Sequence, residues 1–423
     1  MRIWLQCIAV CSWLVSVAVT AENACLPVAS NHNWLLAAEH TQYRSNAIFT
    51  DTATTQQNLD AILDVQLAYC EWSANLAYHQ SWYEAAPAKH KMELKELVWQ
   101  SSLNTDLPLD ITLGKARIDW GLGYIYQPLD IFRPYQGQSL NSLAEQGTGI
   151  IALSAFDAVG EWSLVFSDPS WATNKDPAAI QTGSRPTLGL RHYRLQGDDE
   201  YIGQLSYDKD RHITLGAGWT RGVGDSLHLY SSALWQQNHR AYMLPTGLLA
   251  PVTAHKQAAG RQFMLGLNWA DAVGQTVILE FAYDSRAWSH QQWANAFKRL
   301  DHLSSLPGTE PLRQSYALGF KHQHIVRQNL TLHWSFAALA WSNWHWSQNQ
   351  VWLRQLSPSL DIVYAPQDRG YIATPGLSWQ WHQSDKQELK LNWSVRYFAG
   401  PSHASYANMA QQRQMLINLT GHF

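Results

Sequence analysis

Three residue patterns in the chain could do chemistry, and the first is a histidine followed two residues later by a serine. His79 and Ser81 have this spacing, which in an extended strand places both side chains on one face, as a base and a nucleophile require. The spacing recurs at five further histidines, which are His302, His333, His345, His382 and His403. In a chain with 18 histidines and many serines, six such pairs are close to chance, so the pattern predicts no catalytic residue.

The second pattern is a row of charges in the segment ITLGKARIDWG, residues 111–121. Ile111 and Leu113 mark one face of a strand as apolar, yet Lys115, Arg117 and Asp119 fall on the same parity. A β-bulge at Gly114 would add one residue and turn the three charges to the polar face. The bulge also predicts that Ala116, Ile118 and Trp120 share the apolar face with Leu113. The alternative is that the strand ends at Gly114 and the charges lie in a loop.

A metal site is the third chemistry to weigh. The segment KHQH places His322 and His324 on one face of a predicted strand over 315–324. Two ligands without a third at recognisable spacing are a weak zinc signal. The sequence therefore predicts neither a metal nor another cofactor.

The elements that position these residues alternate between polar and apolar side chains. In QELKLNWSVRYF, Leu391 and Trp393 share one face, while Lys390 and Arg396 share the other. Charged residues make up 15% of the chain, whereas Trp and Tyr number 22 and 18, and the mean hydropathy is -0.29. Low charge with many aromatics, and with no apolar run for a membrane helix after the N-terminus, is typical of a β-barrel with one lipid face and one wet face.

A soluble β-sandwich would also alternate, but the segments are too long for one. They run to roughly 9 to 13 residues, the length of a tilted membrane strand, and aromatics gather at their ends. Tight turns such as 158–161, 196–200, 222–225, 271–274 and 326–329 alternate with long connections at 121–147, 168–185, 239–260, 287–312 and 399–411. No segment has a convincing helical period. The sequence predicts one all-β, transmembrane, antiparallel barrel of 16–18 strands, with short periplasmic turns, long extracellular loops and an unresolved stretch at 341–371.

The two ends of the chain indicate export and assembly. Arg2, an apolar run over 8–19 and the small residues before position 22 predict a signal peptide over 1–21. A periplasmic arm over 22–33 and a barrel over 34–423 follow. After removal of the signal, Cys25 and Cys70 are the remaining cysteines, and a disulfide between them is predicted.

Partners follow from the same reasoning. An alternating last strand that ends on Phe423 resembles the signal by which the barrel-assembly machinery of Gram-negative outer membranes recognises its clients. Outer-membrane lipid and a possible second copy of the chain are the other expected partners. The near balance of 30 Lys and Arg against 33 Asp and Glu gives no sign of nucleic-acid binding.

The region from about residue 93 to 134 resembles a hairpin shared by several Gram-negative outer-membrane barrel families, including alginate-exporter-like porins and uncharacterised barrels. In these families a strand ending in a Gly-[Lys/Arg]-x-[Arg/Gln]-[Ile/Val]-x-[Trp/Tyr]-Gly pattern leads into a loop with Pro-x-Asp. The matching positions are Gly114, Lys115, Arg117, Ile118, Trp120, Gly121, Pro128 and Asp130. The resemblance implies an outer-membrane barrel and indicates no particular substrate.

Three functions are consistent with these patterns. The first is a porin-like channel for small hydrophilic solutes, in which loop 121–147 folds inward and charges set the field at the constriction. Its predicted pore-lining residues are Lys115, Arg117, Asp119, Asp130, Arg133, Lys390 and Arg396. The second is a non-conducting barrel that serves as a scaffold in an envelope export or transfer complex. The third is a lipid-hydrolysing barrel enzyme, which is disfavoured because no serine of the six pairs precedes the asparagine seen in such enzymes.

Overall fold

The structure is a computed structural model of the chain. It describes residues 29–46, 48–49, 55–84, 86–104, 108–133, 145–173, 185–384 and 387–422.

Within the described ranges, eighteen antiparallel strands form one sheet that closes on itself. Each strand pairs with its neighbours in the chain, and β1 also pairs with β18. The strands are β1 (Ala29–Tyr43), β2 (Thr55–Tyr69), β3 (Trp72–Tyr83), β4 (Ala86–Asn104), β5 (Pro108–Ala116), β6 (Thr148–Phe156), β7 (Gly160–Asp168), β8 (Thr187–Gln196), β9 (Asp199–Asp208), β10 (His212–Val223), β11 (Leu227–Met243), β12 (Thr253–Ala270), β13 (Gln275–Asp284), β14 (Gln328–Phe336), β15 (Leu356–Ala365), β16 (Gly370–Gln383), β17 (Glu388–Ala399) and β18 (Gln411–His422). The predicted single antiparallel barrel is confirmed, with 18 strands, and β1 begins at Ala29 rather than at position 34.

Alternation along each strand gives the wall two different faces. In β9, Leu205 and Tyr207 are exposed, whereas Gln204 and Ser206 are buried. In β13, the exposed Leu279 precedes the fully buried Glu280. Because closure leaves no sheet edge, every strand can satisfy its backbone groups within the wall. An apolar outer surface and a polar interior result.

The β13–β14 connection contains α-helices, so the prediction that no segment is helical is wrong. Helix α1 (His290–Ser304) and helix α2 (Glu310–Ser315) lie between β13 and β14. α1 begins with a capping box between Ser289 and Gln292, which satisfies backbone donors at its first turn. Its buried residues are Trp293, Ala296, Leu300 and Leu303, spaced as one face of a helix. No helix among the described residues has the length and hydropathy needed to cross a membrane.

The same connection corrects two further predictions. Residues 316–321 form a 3-10 helix rather than part of a strand. Residues 326–329 cover the end of the long connection and the start of β14 instead of forming a tight turn. Packing explains both differences, because Tyr316, Ile325 and Val326 belong to a buried cluster with α1. This cluster also takes in Ile48, Val252 and Tyr406, which come from three other connections at the same end of the barrel.

The stretch at 341–371, where the number of strands was unresolved, contains the end of a connection and strand β15. Residues 337–355 form a connection with two 3-10 helices, Ala338–Asn343 and Val351–Gln355, and β15 follows directly. The even strand number results from this arrangement. The other 3-10 helices in the part of the chain that the structure describes are Pro169–Trp171, in the β7–β8 connection, and Tyr406–Asn408, in the β17–β18 connection.

Candidate functional site

The prediction of a β-bulge at Gly114 is wrong. The charged residues after Gly114 do change face relative to Ile111 and Leu113, but for another reason. Pairing of β5 runs through Gly114 without a shift, opposite Val98 on one side and Ile150 on the other. Gly114 instead has a φ of +126°, and a Cβ there would lie 2.0 Å from the carbonyl oxygen of Leu97. Only glycine tolerates this conformation. The twist turns Lys115 into a buried position, although its parity matches the exposed Leu113.

The extra residue lies in the neighbouring strand β4. Register between β3 and β4 shifts between Asn75 and Leu76, so that Lys95 has no partner in the ladder. Lys95 is buried and forms an ion pair with the buried Asp64. Lys115 donates from Nζ to the carbonyl oxygen of Leu94 at 2.6 Å and to Oε1 of Gln146 at 3.2 Å. A β4 bulge therefore makes the space that Lys115 occupies.

Residues 117–133, which we call the constriction segment, leave β5 and cross the interior of the barrel. Leu129 packs at Gly216 and Gly218 on β10, where added Cβ atoms would lie 2.7 and 2.9 Å from its methyl groups. Phe132 packs in the same way at Gly189 on β8, at 2.4 Å. Gly189 and Gly216 alternate with the exposed Leu188 and Leu215, so both glycines face inward. Inward glycines thus provide the groove in which the segment lies.

Apolar packing fixes the segment against this wall. Trp120 and Phe132 meet edge to face with ring centroids 4.8 Å apart, and Trp120 is buried. They pack with Leu129 and with the inward Val165 and Leu234 of the wall. Trp120 therefore points into the barrel, which contradicts the prediction that it shares the lipid-facing side with Leu113.

Glu280 anchors the tip of the segment. This buried carboxylate on β13 accepts hydrogen bonds from the backbone N–H of Tyr124, from the backbone N–H of Ile125 at 3.1 Å, and from the hydroxyl of Tyr230 at 2.9 Å. Three donors compensate the cost of burying its charge. Tyr124 in turn donates to Oδ1 of Asp361 on β15 at 3.0 Å. The segment is thus held on the β8–β15 side of the interior.

A cavity of about 300 Å³ lies between the segment and the ends of β5 and β6. Its charged lining consists of Glu96, Arg117, Asp119, Asp130, Arg133 and Glu145. Arg117 donates from Nε to Glu96 at 3.1 Å, and Arg133 donates to Asp130 at 3.4 Å and also pairs with Glu145. Four carboxylates face two guanidinium groups, so the cavity carries an excess of negative charge.

Asp130 is the titratable group of this cavity. Burial raises the pKa of its carboxyl to about 7, against the opposing effect of the nearby Arg133 guanidinium. The carboxylates of Asp119 and Glu145 contribute to this rise, so that the net pKa is about 7. Near neutral pH the charge of the cavity therefore changes with the protonation of Asp130.

The predicted pore-lining residues separate into two groups. Arg117, Asp119, Asp130 and Arg133 meet at the cavity, and Lys115 lies beneath it. Arg396 on β17 donates to Thr374 at 3.3 Å, and Thr374 pairs with Asp361, which accepts from the tip of the segment. Lys390 lies opposite Gln380 and Thr420, roughly 20 Å along the strand from Arg396.

The other predicted functional residues have different surroundings. The Ser81 hydroxyl donates to Asp60, and His79 lies 3.8 Å from Glu93, so the pair is not arranged as base and nucleophile. Cys70 is disulfide-bonded, whereas Cys25 and Phe423 lie outside the described residues. Among the described residues, no three or more histidine, cysteine or acidic side chains form a group that could hold a metal ion.

Sequence reasoning missed the residues that hold the segment in place. Glu280 is the single charge within the apolar run TVILEFAY, and a lone carboxylate on the inward parity of such a strand was a usable signal. The inward glycines at 189, 216 and 218 weaken their strands unless something packs against them. Glu96 and Glu145 gave no signal, because their roles depend on contacts with the distant Arg117 and Arg133.

The fold and the site together define a closed 18-stranded β-barrel with an internal constriction. No family model matches the chain, and no curated protein matches it by sequence. Solved structures match it by fold. OccK5 (OpdH) of Pseudomonas aeruginosa has a TM-score of 0.54 and 8% identity, over 94% of this chain and 97% of that chain.

Two further structures give the same result. OccK9 (OpdG) of Pseudomonas aeruginosa matches with a TM-score of 0.57 at 8% identity, over 94% of this chain and 98% of that chain. OccAB1 of Acinetobacter baumannii matches with a TM-score of 0.54 at 8% identity, over 94% of this chain and 96% of that chain. At these identities the comparison shows a shared barrel fold.

Proposed function

We propose that the protein is a porin-like channel of the Gram-negative outer membrane that passes small hydrophilic solutes. The observation that carries this proposal is the constriction segment, which is anchored by Glu280 to the inner wall of a closed barrel and borders a charged cavity. A barrel with no passage would have no need of a separately anchored, charged narrowing. The matched Occ and Opd structures share the barrel fold, which is the fold that such a channel needs.

Width supports a channel as well. Barrel diameter grows with strand number, and barrels of 16 to 18 strands are wide enough for an aqueous passage beside their own wall side chains. The constriction segment lies on the β8–β15 side, against Gly189, Gly216 and Glu280. The wall from β16 through β18 to β4 is opposite, so a solute would pass between that wall and the segment, close to Arg117 and Arg133.

Planar-bilayer recording of the purified, refolded protein tests the proposal. We expect discrete conductance steps, and a larger step after residues 122–128 are replaced by a short Gly-Ser linker. A matched control replaces residues 246–249 of the β11–β12 connection in the same way and should leave the step unchanged. Absence of steps from both wild type and the 122–128 variant would refute the channel.

The packed β13–β14 connection favours one second candidate. Its cluster joins α1 to Ile48, Val252 and Tyr406 from three other connections, so part of the barrel end is covered by folded protein. A non-conducting scaffold barrel would use such a cover permanently. This candidate would be supported if neither the wild type nor the 122–128 variant gave conductance steps and a stoichiometric partner were found in native extracts.

A further inference from the structure

The β14–β15 connection, residues 337–355, is unlike the other turns at its end of the barrel. Those turns are short, such as 157–159 between β6 and β7 or 224–226 between β10 and β11. Residues 337–355 instead include two 3-10 helices, which contain Trp341 and Trp352, and the segment between these helices contains Trp344 and Trp346. We call this connection the aromatic foot.

The aromatic foot exposes its large apolar side chains. Leu339 is 76% exposed, Val351 70%, Trp346 63% and Trp352 57%. The only side chains in the foot that can carry charge are His345 and Arg354, and neither is negative. An apolar, slightly cationic surface of this kind is costly to leave in water.

The foot is rigid rather than a loose loop. Phe336 at the end of β14 stacks on Trp344 with centroids 5.0 Å apart, and Trp344 stacks on Trp346 at 6.0 Å. The indole N–H of Trp341 donates to the carbonyl oxygen of Leu356 at 2.8 Å. Asn343 donates to the carbonyl oxygen of Val273 in the β12–β13 turn at 3.2 Å. The exposed side chains are therefore presented in a fixed arrangement.

A ring of aromatic side chains surrounds the barrel at the same end. Trp72 and Trp99 are direct cross-strand neighbours beside the β2–β3 turn, and Trp162 lies beside the β6–β7 turn. Next to the foot, Trp379 and Trp381 stack 5.7 Å apart on β16, and Trp379 donates to Gln355 at 2.9 Å. Tryptophan rings collect at the boundary between acyl chains and headgroups. The contact of Trp379 with Gln355 joins the foot to this ring.

We propose that the aromatic foot lies in the headgroup region of the membrane leaflet on the short-turn side, with Leu339, Trp346, Val351 and Trp352 inserted among the lipids. Continuity with the aromatic ring and the absence of acidic side chains select a lipid surface over a protein partner. Amphipathic segments of this kind insert their apolar side chains about 5–10 Å into the boundary. The foot would hold the β12–β16 side of the barrel at a fixed depth.

Site-specific fluorescence tests this placement. Leu339→Cys, Trp346→Cys and Trp352→Cys are each labelled with an environment-sensitive dye and reconstituted into phosphatidylcholine vesicles, and Ser226→Cys in the exposed β10–β11 turn is the matched control. The unsubstituted protein carried through the same labelling measures background. Iodide reports access from water, and lipids with a nitroxide near the headgroup report access from the membrane. Heat-dependent gel mobility confirms that each labelled barrel is folded.

Lipid placement predicts opposite results for the foot and the control. Dyes in the foot should be quenched at least twofold more by nitroxide lipids than the dye at position 226, and shielded from iodide by a similar factor. Iodide quenching equal to that at position 226 would overturn the proposal. Shielding from iodide without nitroxide quenching would also overturn it, because the foot would then be covered by protein. Channel activity is not part of the readout, so the two proposals fail independently.

Discussion

At the scale of single residues, Asp130 makes the proposed channel sensitive to pH. Its carboxyl, with a pKa of about 7, is mostly protonated at pH 5.5 and mostly ionised at pH 8.5. The cavity therefore gains one negative charge as pH rises. In low salt, where screening is weak, we expect cation conductance to rise by roughly a factor of two across this interval. Asp130→Asn should remove most of that rise when conductance is measured at both pH values.

A control variant separates this effect from general titration of the interior. Glu161→Gln on β7, near the short-turn end, changes a carboxylate that hydrogen-bonds to Ser154 and lies outside the cavity. It should keep the wild-type dependence on pH. A slope in Asp130→Asn equal to that of the wild type would show that another group is responsible.

Glu280 is the residue on which the position of the constriction segment depends. Glu280→Gln keeps the shape of the side chain but replaces a charged hydrogen-bond acceptor with a neutral one. Hydrogen bonds to charged groups contribute about 1.5–3 kcal/mol each to stability. The tip at Tyr124 and Ile125 should loosen, which we expect to appear as greater open-channel current noise and a larger mean conductance. Tyr230→Phe removes one of the three donors and should give a smaller change in the same direction. Quiet, unchanged currents in both variants would contradict this role.

At the scale of elements, the groove of inward glycines sets how far the segment stands from the wall. Gly216→Val would place side-chain atoms where Leu129 packs at 2.7 Å and push the segment toward the open side of the interior. We expect conductance to fall to roughly half, because overpacked sites respond by displacement. Gly203→Val on β9, where a Cβ meets nothing within 4 Å, is the matched control. Equal conductance in the two variants would mean that the groove does not position the segment.

Helix α1 should be able to unfold locally while the barrel wall stays folded. Trp293 is buried and donates from its indole N–H to Ile325 at 2.9 Å, so Trp293→Ala should destabilise the helical connection by about 3–5 kcal/mol. The wall, held by its own ladder, should keep its heat-dependent gel mobility. Hydrogen exchange over 290–304 measures the local loss, and the exposed Lys298→Ala serves as control. Exchange in Trp293→Ala as slow as in the control would refute the prediction.

The strands were predictable from sequence and the inward packing was not, for a physical reason. In segments such as 388–397, polar and apolar residues alternate over nine or more positions. This pattern identifies a strand clearly when one face of the strand contacts lipid. Helix α1 was missed because its buried face includes Ala296, and charged or amide side chains surround Trp293 and Leu300. The contacts of Leu129 with Gly216 and of Tyr124 with Glu280 join residues far apart in the chain, where no local pattern records them.

At the scale of the whole molecule, the interior charges mostly cancel away from the cavity. Arg211 pairs with Asp208, Arg286 with Asp284, and Lys95 with Asp64, and all six side chains are buried. Such pairs leave little net field for a passing ion. The cavity differs, because its four carboxylates exceed its two guanidinium groups. The excess lies beside the constriction segment, and in the proposed channel a charge at a narrow point acts most strongly on a solute.

Cation preference follows from that imbalance. We expect the reversal potential in a tenfold KCl gradient to favour K⁺ over Cl⁻, most clearly in dilute salt, where the screening length is about 10 Å or more. Glu96→Gln combined with Glu145→Gln equalises the remaining carboxylates and guanidinium groups and should bring the potential close to zero. Lys390→Gln, on the wall far from the cavity, should leave the preference intact. Anion preference in the wild type would mean that Arg396 and the opposite wall, rather than the cavity carboxylates, control the permeating ion.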